Sequence, residues 1–152
     1  MTAYSFEVLG DPVPQGSMTA FIAGGKARVA HKAPKGLQAF RADCRNAAAQ
    51  AGVTVIEGPV RLRAVFVLER PQSHRGTGKN AGMLKASAPE YHTGQRPDGD
   101  KILRSLFDAL TGVCFRDDGQ VCVASFVKRY VREGEAPHTS VTVDSLADEG
   151  RP

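Results

Sequence analysis

From Asp100 to Leu110 the apolar residues Ile102, Leu103, Leu106, Phe107 and Leu110 recur at three- and four-residue steps. That spacing commits the segment to one amphipathic α-helix with a single buried stripe. Asp100, Arg104 and Asp108 then share the opposite face. Pro97 discourages helix at Arg96, Asp98 or Asp100 can cap the free N–H groups at the start, and Gly112 supplies the stop. Val113, Cys114 and Phe115 lead through Arg116 to an Asp117-Asp118-Gly119 turn, and Val121 opens an apolar, β-branched run. A helix followed so closely by a turn and a strand doubles back, which predicts that Asp118 returns towards Asp98 and Asp100.

Arg96 to Gln120 holds five of the sixteen acidic residues in a chain whose net charge is +4. Two readings of this cluster stand side by side. Asp98 and Asp100 can be capping and dipole-matching residues and Asp117-Asp118-Gly119 an ordinary turn. Alternatively, Asp98, Asp100 and Asp118 form a set of hard oxygen ligands suited to Mg²⁺ or Mn²⁺, with Asp117 as an outer ligand or part of the turn. Like charges brought so close require a cation or partial neutralisation.

The ordered set Asp98-Gly99-Asp100, Arg104, Phe107-Asp108-Ala109-Leu110 and Asp117-Asp118-Gly119-Gln120-Val121 resembles the RusA family of Holliday-junction resolvases, especially its phage and prophage members. The resemblance reaches back to GDPVPQGSM near the N-terminus and forward through Val131. It implies an endonuclease that cuts four-way DNA junctions with Mg²⁺, Mn²⁺ being able to substitute, through Asp98, Asp100 and Asp118 as metal-binding carboxylates. It also implies a homodimer and a phage role in recombination, repair or branch clearance. Two positions depart from the family pattern. Lys101 replaces a frequent Asn, and Arg104 stands where a catalytic Lys is common. Arginine keeps the charge and grips phosphate bidentately but does not readily release a proton. Arg104 is therefore expected as a transition-state clamp, with Asp108, four residues on, orienting it.

At 152 residues, 41% hydrophobic and 24% charged, the chain has the size and composition of one soluble globular domain. No apolar run approaches the roughly 20 residues of a membrane span, and MTAYSFEVLG lacks the features of a secretory leader. A cytoplasmic protein without membrane contact or a small-molecule cofactor is expected. Cys44, Cys114 and Cys122 show neither CxxC spacing nor paired histidines and are read as small buried apolar residues.

Around the acidic helix the remaining elements follow in order. Tyr4, Phe6 and Val8 predict a first strand ending at Gly10, broken by the rigid turn Asp11 to Gly16, whose role is read as architectural. Phe21 to Ala30 forms a hairpin about Gly24-Gly25, made basic by Lys26, Arg28 and Lys32. A first helix runs from Lys35 to Ala51, with Arg41 and Arg45 on its outer face. Val60 to Glu69 is a strand whose second half is buried on both sides. Arg70 to Arg96 has no regular periodicity and carries Arg70, Arg75, Lys79, Lys85 and Arg96 against the single acid Glu90, so a DNA-engaging loop is expected. Strands Val121 to Val131 and His138 to Val143 complete an α+β single domain over residues 1–143, a mixed sheet covered by two helices, followed by a polar tail, 144–152.

The reaction expected is Mg²⁺-dependent hydrolysis of DNA phosphodiesters at branched junctions by Asp98, Asp100, Asp118 and Arg104. Arg75, Lys79, Lys85, Arg96, Lys101, Lys26, Arg28 and Lys32 are the expected DNA contacts. Paired cuts at a symmetric junction call for a homodimer. The alternative is a non-catalytic branched-DNA-binding protein whose acids are only caps. A nucleotide-directed phosphoryl-transfer enzyme lacks its GxxxxGK[ST] loop here.

Overall fold

The computed structural model describes residues 2–16, 18–31 and 35–146. Six strands and two helices form in the expected order: β1 (Ala3–Leu9), β2 (Met18–Ala23), β3 (Lys26–His31), α1 (Leu37–Gln50), β4 (Val60–Leu68), α2 (Gly99–Leu110), β5 (Val121–Tyr130) and β6 (His138–Ser145). Strands β1, β6, β4 and β5 lie in that spatial order in one sheet, and β2 and β3 pair separately as an antiparallel hairpin. Because β5 runs parallel to β4 while β6 is antiparallel to both β4 and β1, the sheet is mixed. This is the α+β single-domain arrangement that the element order predicts.

One face of the sheet carries the core. Leu62, Ala64 and Phe66 of β4 stand beside Val141 and Val143 of β6 and Phe6 and Val8 of β1. Phe40, Cys44 and Ala48 of α1 and Ile102, Leu106, Ala109 and Leu110 of α2 close over them. The helical stripe read from α2 is thus the buried one, with Leu103 and Phe107 at its partly covered margins. Val67 joins Phe66 and Leu68 as a buried residue, so the second half of β4 is covered on both faces as its unbroken apolar run predicts.

Three expectations need correction. Arg41 does not face outward from α1, its guanidinium meeting Asp108 of α2 at 3.1 Å, while Arg45 is exposed as expected and still donates from Nε to the Ala109 carbonyl at 3.2 Å. Long side chains on the margin of one helix reach across the interhelical groove to the next. Asp144 is not a tail residue. It continues β6, is buried, and takes two hydrogen bonds from Arg61; the rest of the expected tail, residues 147–152, lies outside the described residues. Cys122, finally, is exposed, whereas Cys44 and Cys114 are buried and burial pushes both thiols up to about 12.

The long segment between β4 and α2 is irregular but firmly anchored. It contains two short 3₁₀ turns, Gln72–His74 and Gly78–Asn80. Buried Arg70 is its root: Nε donates to the Val131 carbonyl and Nη1 to the Pro89 carbonyl, each at 2.7 Å, while the guanidinium lies 5.2 Å from the centre of the Tyr130 ring. At the far end His92 N donates to Lys128 O and Tyr130 N to Glu90 O. Beside this junction Arg129 holds Glu135 bidentately and keeps its carboxyl down to about 2. Replacing Arg70 with Ala strands two carbonyls and removes the ring contact. We expect urea unfolding of Arg70→Ala to report a loss of roughly 2–4 kcal/mol, and a loss below about 0.5 kcal/mol would show the anchor to be dispensable.

Candidate active site

The Asp-x-Asp at the start of α2 is fixed in place by its middle residue. Gly99 is buried, and a Cβ there would collide with Cε2 of Phe126, so the β5 aromatic ring packs directly on the helix start. Only a residue without a side chain lets the two elements approach so closely. From the other side the Asp11–Gly16 turn docks on the same helix end, Gln15 N donating to the Lys101 carbonyl at 3.0 Å.

Two adjacent clefts open here, and Gln15 lines both. The larger, about 760 Å³, lies between the Pro12–Gly16 turn, Leu68 and Glu69 at the end of β4, and the segment that delivers His92, Gln95, Arg96, Pro97 and Asp98. Lys101 completes it. The smaller, about 350 Å³, is walled by Gln15, Arg104, Phe107, Asp108 and Asp118. The doubling back of the chain therefore brings Asp118 to Arg104, while Asp98 sits in the neighbouring cleft and Asp100 lines neither. Among the described residues no three His, Cys, Asp or Glu side chains stand close enough to hold a metal ion.

What separates the five acids is their engagement. Asp117 belongs to the turn: its Oδ1 accepts from Gly119 N at 2.7 Å, and Gln120 Oε1 accepts from Asp117 N in return, a capping box that also ties to Ile56 and Gly58 through Gln120 Nε2. Asp108 belongs to the helix–helix contact with Arg41 and does not orient Arg104. The other three carboxylates carry no such duty. Asp98 occupies the N-cap position of α2 yet makes no side-chain cap hydrogen bond, and its nearest cation is Lys101 Nζ at 3.9 Å. Asp100 and Asp118 are exposed, and neither carboxylate makes a hydrogen bond or ion pair among the described residues. A turn or a helix end that needed these acids would be hydrogen-bonded to them.

Arg104 is exposed on the smaller cleft with no ion pair among the described residues. Arg96 is exposed at the larger cleft, its carbonyl accepting from His92 Nε2 at 3.1 Å. The His92 imidazole is pulled below its ordinary range by partial burial and by the neighbouring Lys128 charge. On the loop, Lys79 and Lys85 are exposed and their ammonium groups have no partner among the described residues, whereas Arg75 is bonded to Glu69 at 3.3 Å and to the Gly82 carbonyl. Lys26 and Arg28 are exposed on β3; Lys32 lies outside the described residues. Sequence reasoning missed Gln15, reading its turn as scaffold. The only signal was a polar residue held between Pro14 and Gly16, inside the stretch that carried the resemblance.

Residues 10–144 match the family described as Endodeoxyribonuclease RusA. A protein of Bacillus subtilis (strain 168) described as "Uncharacterized protein YqaN" is 28% identical over 148 residues, spanning 97% of this chain and 99% of that protein.

Proposed function

Because the chain belongs to the RusA endodeoxyribonuclease family, we propose that it is a metal-dependent resolvase that hydrolyses phosphodiesters in pairs at four-way DNA junctions, working as a homodimer on Asp98, Asp100, Asp118 and Arg104. The observation that carries this reading is the division of the acids. Asp117 and Asp108 are engaged in the fold, while Asp98, Asp100 and Asp118 are left unbonded or weakly paired beside a cationic cleft. The donor type suits Mg²⁺ or Mn²⁺, since all three groups are hard carboxylate oxygens, although the described residues do not gather them closely enough to hold one ion.

Asp98, Asp100 and Asp118 are the carboxylates that would hold a divalent cation, which would supply Lewis-acid polarisation of the phosphate and a water that ionises near neutral pH. The chain's own residues do the rest. Arg104, across the smaller cleft from Asp118, sits where its guanidinium can hold the phosphate oxygens as charge accumulates on them. With its very high pKa it acts by charge and geometry, not by proton donation. Lys101 and Arg96 at the larger cleft offset the carboxylates' repulsion of the DNA backbone. Gln15, lining both clefts, is placed to orient the strand between them.

DNA binding draws on the loop as well. Lys79 and Lys85 are its exposed, unpartnered lysines, while Arg75 braces the loop through Glu69. Removing one cation that fully neutralises a phosphate flattens the dependence of log affinity on log salt by roughly 0.9. The Lys79→Ala/Lys85→Ala variant is expected to bind a labelled four-way junction more weakly and to reduce that slope by about two. Its thermal stability stays within about 0.5 kcal/mol of the parent. An unchanged slope would move the DNA face away from the loop, with Lys26 and Arg28 the next cations to replace. The reading as a whole is tested by competing junction against linear duplex of the same sequence, the junction being favoured.

A further inference from the structure

Pro12, Pro14, Leu68 and Pro97 give the larger cleft apolar walls, and backbone bonds hold those walls in place. Lys128 Nζ donates to the Gly94 carbonyl at 2.7 Å and to the Pro97 carbonyl at 3.0 Å, His92 Nε2 donates to Arg96 O, and Val131 N donates to Leu68 O at 2.9 Å. On the turn side Gln15 N is held on the Lys101 carbonyl. At about 760 Å³ the space falls within the roughly 300–1,000 Å³ of pre-formed pockets that enclose small organic molecules. Two carboxamides line it, those of Gln15 and Gln95, and neither makes a hydrogen bond among the described residues. Gln120 shows the contrast, since both ends of its amide are bonded within the fold. Gln15 also lines the smaller cleft with Arg104 and Asp118, so the two spaces adjoin at one residue. That arrangement suits a single nucleotide, whose base and phosphate are held apart by the sugar.

We propose that the larger cleft takes one unpaired nucleobase, extruded from the branch point beside the scissile phosphate, and that Gln15 and Gln95 read its Watson–Crick edge. The proposal rests on the reading of the smaller cleft as the place where the phosphate is hydrolysed, and adds the pocket for the neighbouring base. A base has two apolar faces and a polar edge, which match apolar walls carrying free amides. A paired duplex offers no such edge. Each carboxamide supplies two N–H donors and an acceptor oxygen, so a base that meets them correctly is bonded, and a wrong one covers them and leaves them unpaired. His92 adds an aromatic ring whose pKa is lowered by partial burial and by the Lys128 charge, so the ring brings no positive charge at neutral pH. Arg96 and Lys101, lining the same cleft, offer charge to the phosphates on either side of the extruded nucleotide. Extrusion is least costly where a base has already lost its pairing or stacking neighbours, as at a branch point. The pocket therefore also favours a junction over linear duplex.

Gln95→Ala and an abasic nucleotide test the contact together, by single-turnover cleavage of synthetic four-way junctions. Once the parental cuts are mapped, the nucleotide on each side of the scissile phosphate is varied through all four bases and then made abasic. At one of these two positions the parent is expected to cut its best base about tenfold or more faster than its worst, the discrimination that a good amide-to-base contact provides. Gln95→Ala is expected to narrow that range to about threefold or less. Its far-UV circular dichroism spectrum stays unchanged, because Gln95 is exposed. Removing the base slows the parent, and it slows Gln95→Ala by a clearly smaller factor, since the variant has already lost part of what the base touches. Equal abasic losses in parent and variant, or equal cutting of all four bases at both positions, would place the base elsewhere and overturn the proposal while junction cleavage stands. A uniform fall in Gln95→Ala with the base preference intact would do the same. A parent that cuts no junction of any sequence overturns the underlying reading as well.

Discussion

Asp100→Asn and Asp118→Asn are expected to lose junction cleavage by roughly a thousandfold or more, the equivalent of the several kcal/mol that a positioned cation contributes to phosphate hydrolysis. Binding to the junction is expected to persist or tighten, because each substitution removes a negative charge facing the phosphates. The same logic makes Asp108→Asn and Asp117→Asn the informative controls. Asp108 is joined to Arg41 and Asp117 to the Gly119 amide, so their replacement acts on stability and leaves cleavage by the folded protein largely intact. Single-turnover cleavage and equilibrium binding of all four variants separate the two groups. Equal loss of cleavage across all four would mean that the division between engaged and unengaged acids carries no functional meaning.

Arg104→Ala is expected to lower kcat by about 10²–10³, the typical effect of removing one donor aimed at developing charge, with junction affinity changed far less. Arg104→Lys restores most of the rate, since a cation at that place is what the step requires; the bidentate grip is lost, so recovery stops short of the parent. The structure strengthens this prediction in one respect. With Asp108 given to Arg41, Arg104 makes no ion pair among the described residues, and it lines the cleft it shares with Asp118. An alanine variant that cuts at the parental rate would remove Arg104 from the mechanism, and the charge stabilisation would then be sought at Lys101.

The elements of this fold are legible because their periodicities are local. The stripe of α2, the double-sided burial of β4 and the Gly24-Gly25 hairpin follow from residue spacing alone, and the boundaries of these elements fall within a few residues of those expected. What the spacing cannot contain is the partner chosen by a long side chain. Arg41 and Arg45 lie on a polar face and so read as outward, yet they reach α2; Asp108 sits one turn from Arg104 but is claimed by a residue 67 positions earlier in the chain. Asp144 looks like the start of a polar tail because the Arg61 pairing that retains it lies across the sheet on β4. The candidate site is legible in the same uneven way. The Asp-x-Asp and the Asp117-Asp118 turn stand out by their spacing, and Arg104 comes with the resemblance that they carry. Gln15 does not, since its approach to α2 depends on a backbone bond to Lys101 that no pattern in the turn encodes. Cys122 reads as buried because it is a small apolar residue outside any metal or disulfide spacing, and is exposed on β5, which is an edge, a property of strand order that no single strand reveals.

The most direct test of the account is to incubate the parental protein with a synthetic four-way junction, each strand labelled in turn, in Mg²⁺ and in excess chelator, and to map the products on denaturing gels. The account predicts nicks at symmetry-related positions in two strands of like polarity, present with Mg²⁺, absent with chelator and absent from linear duplex of the same sequence. Binding without any Mg²⁺-dependent cleavage, or cleavage of duplex and junction at equal rates, would contradict it.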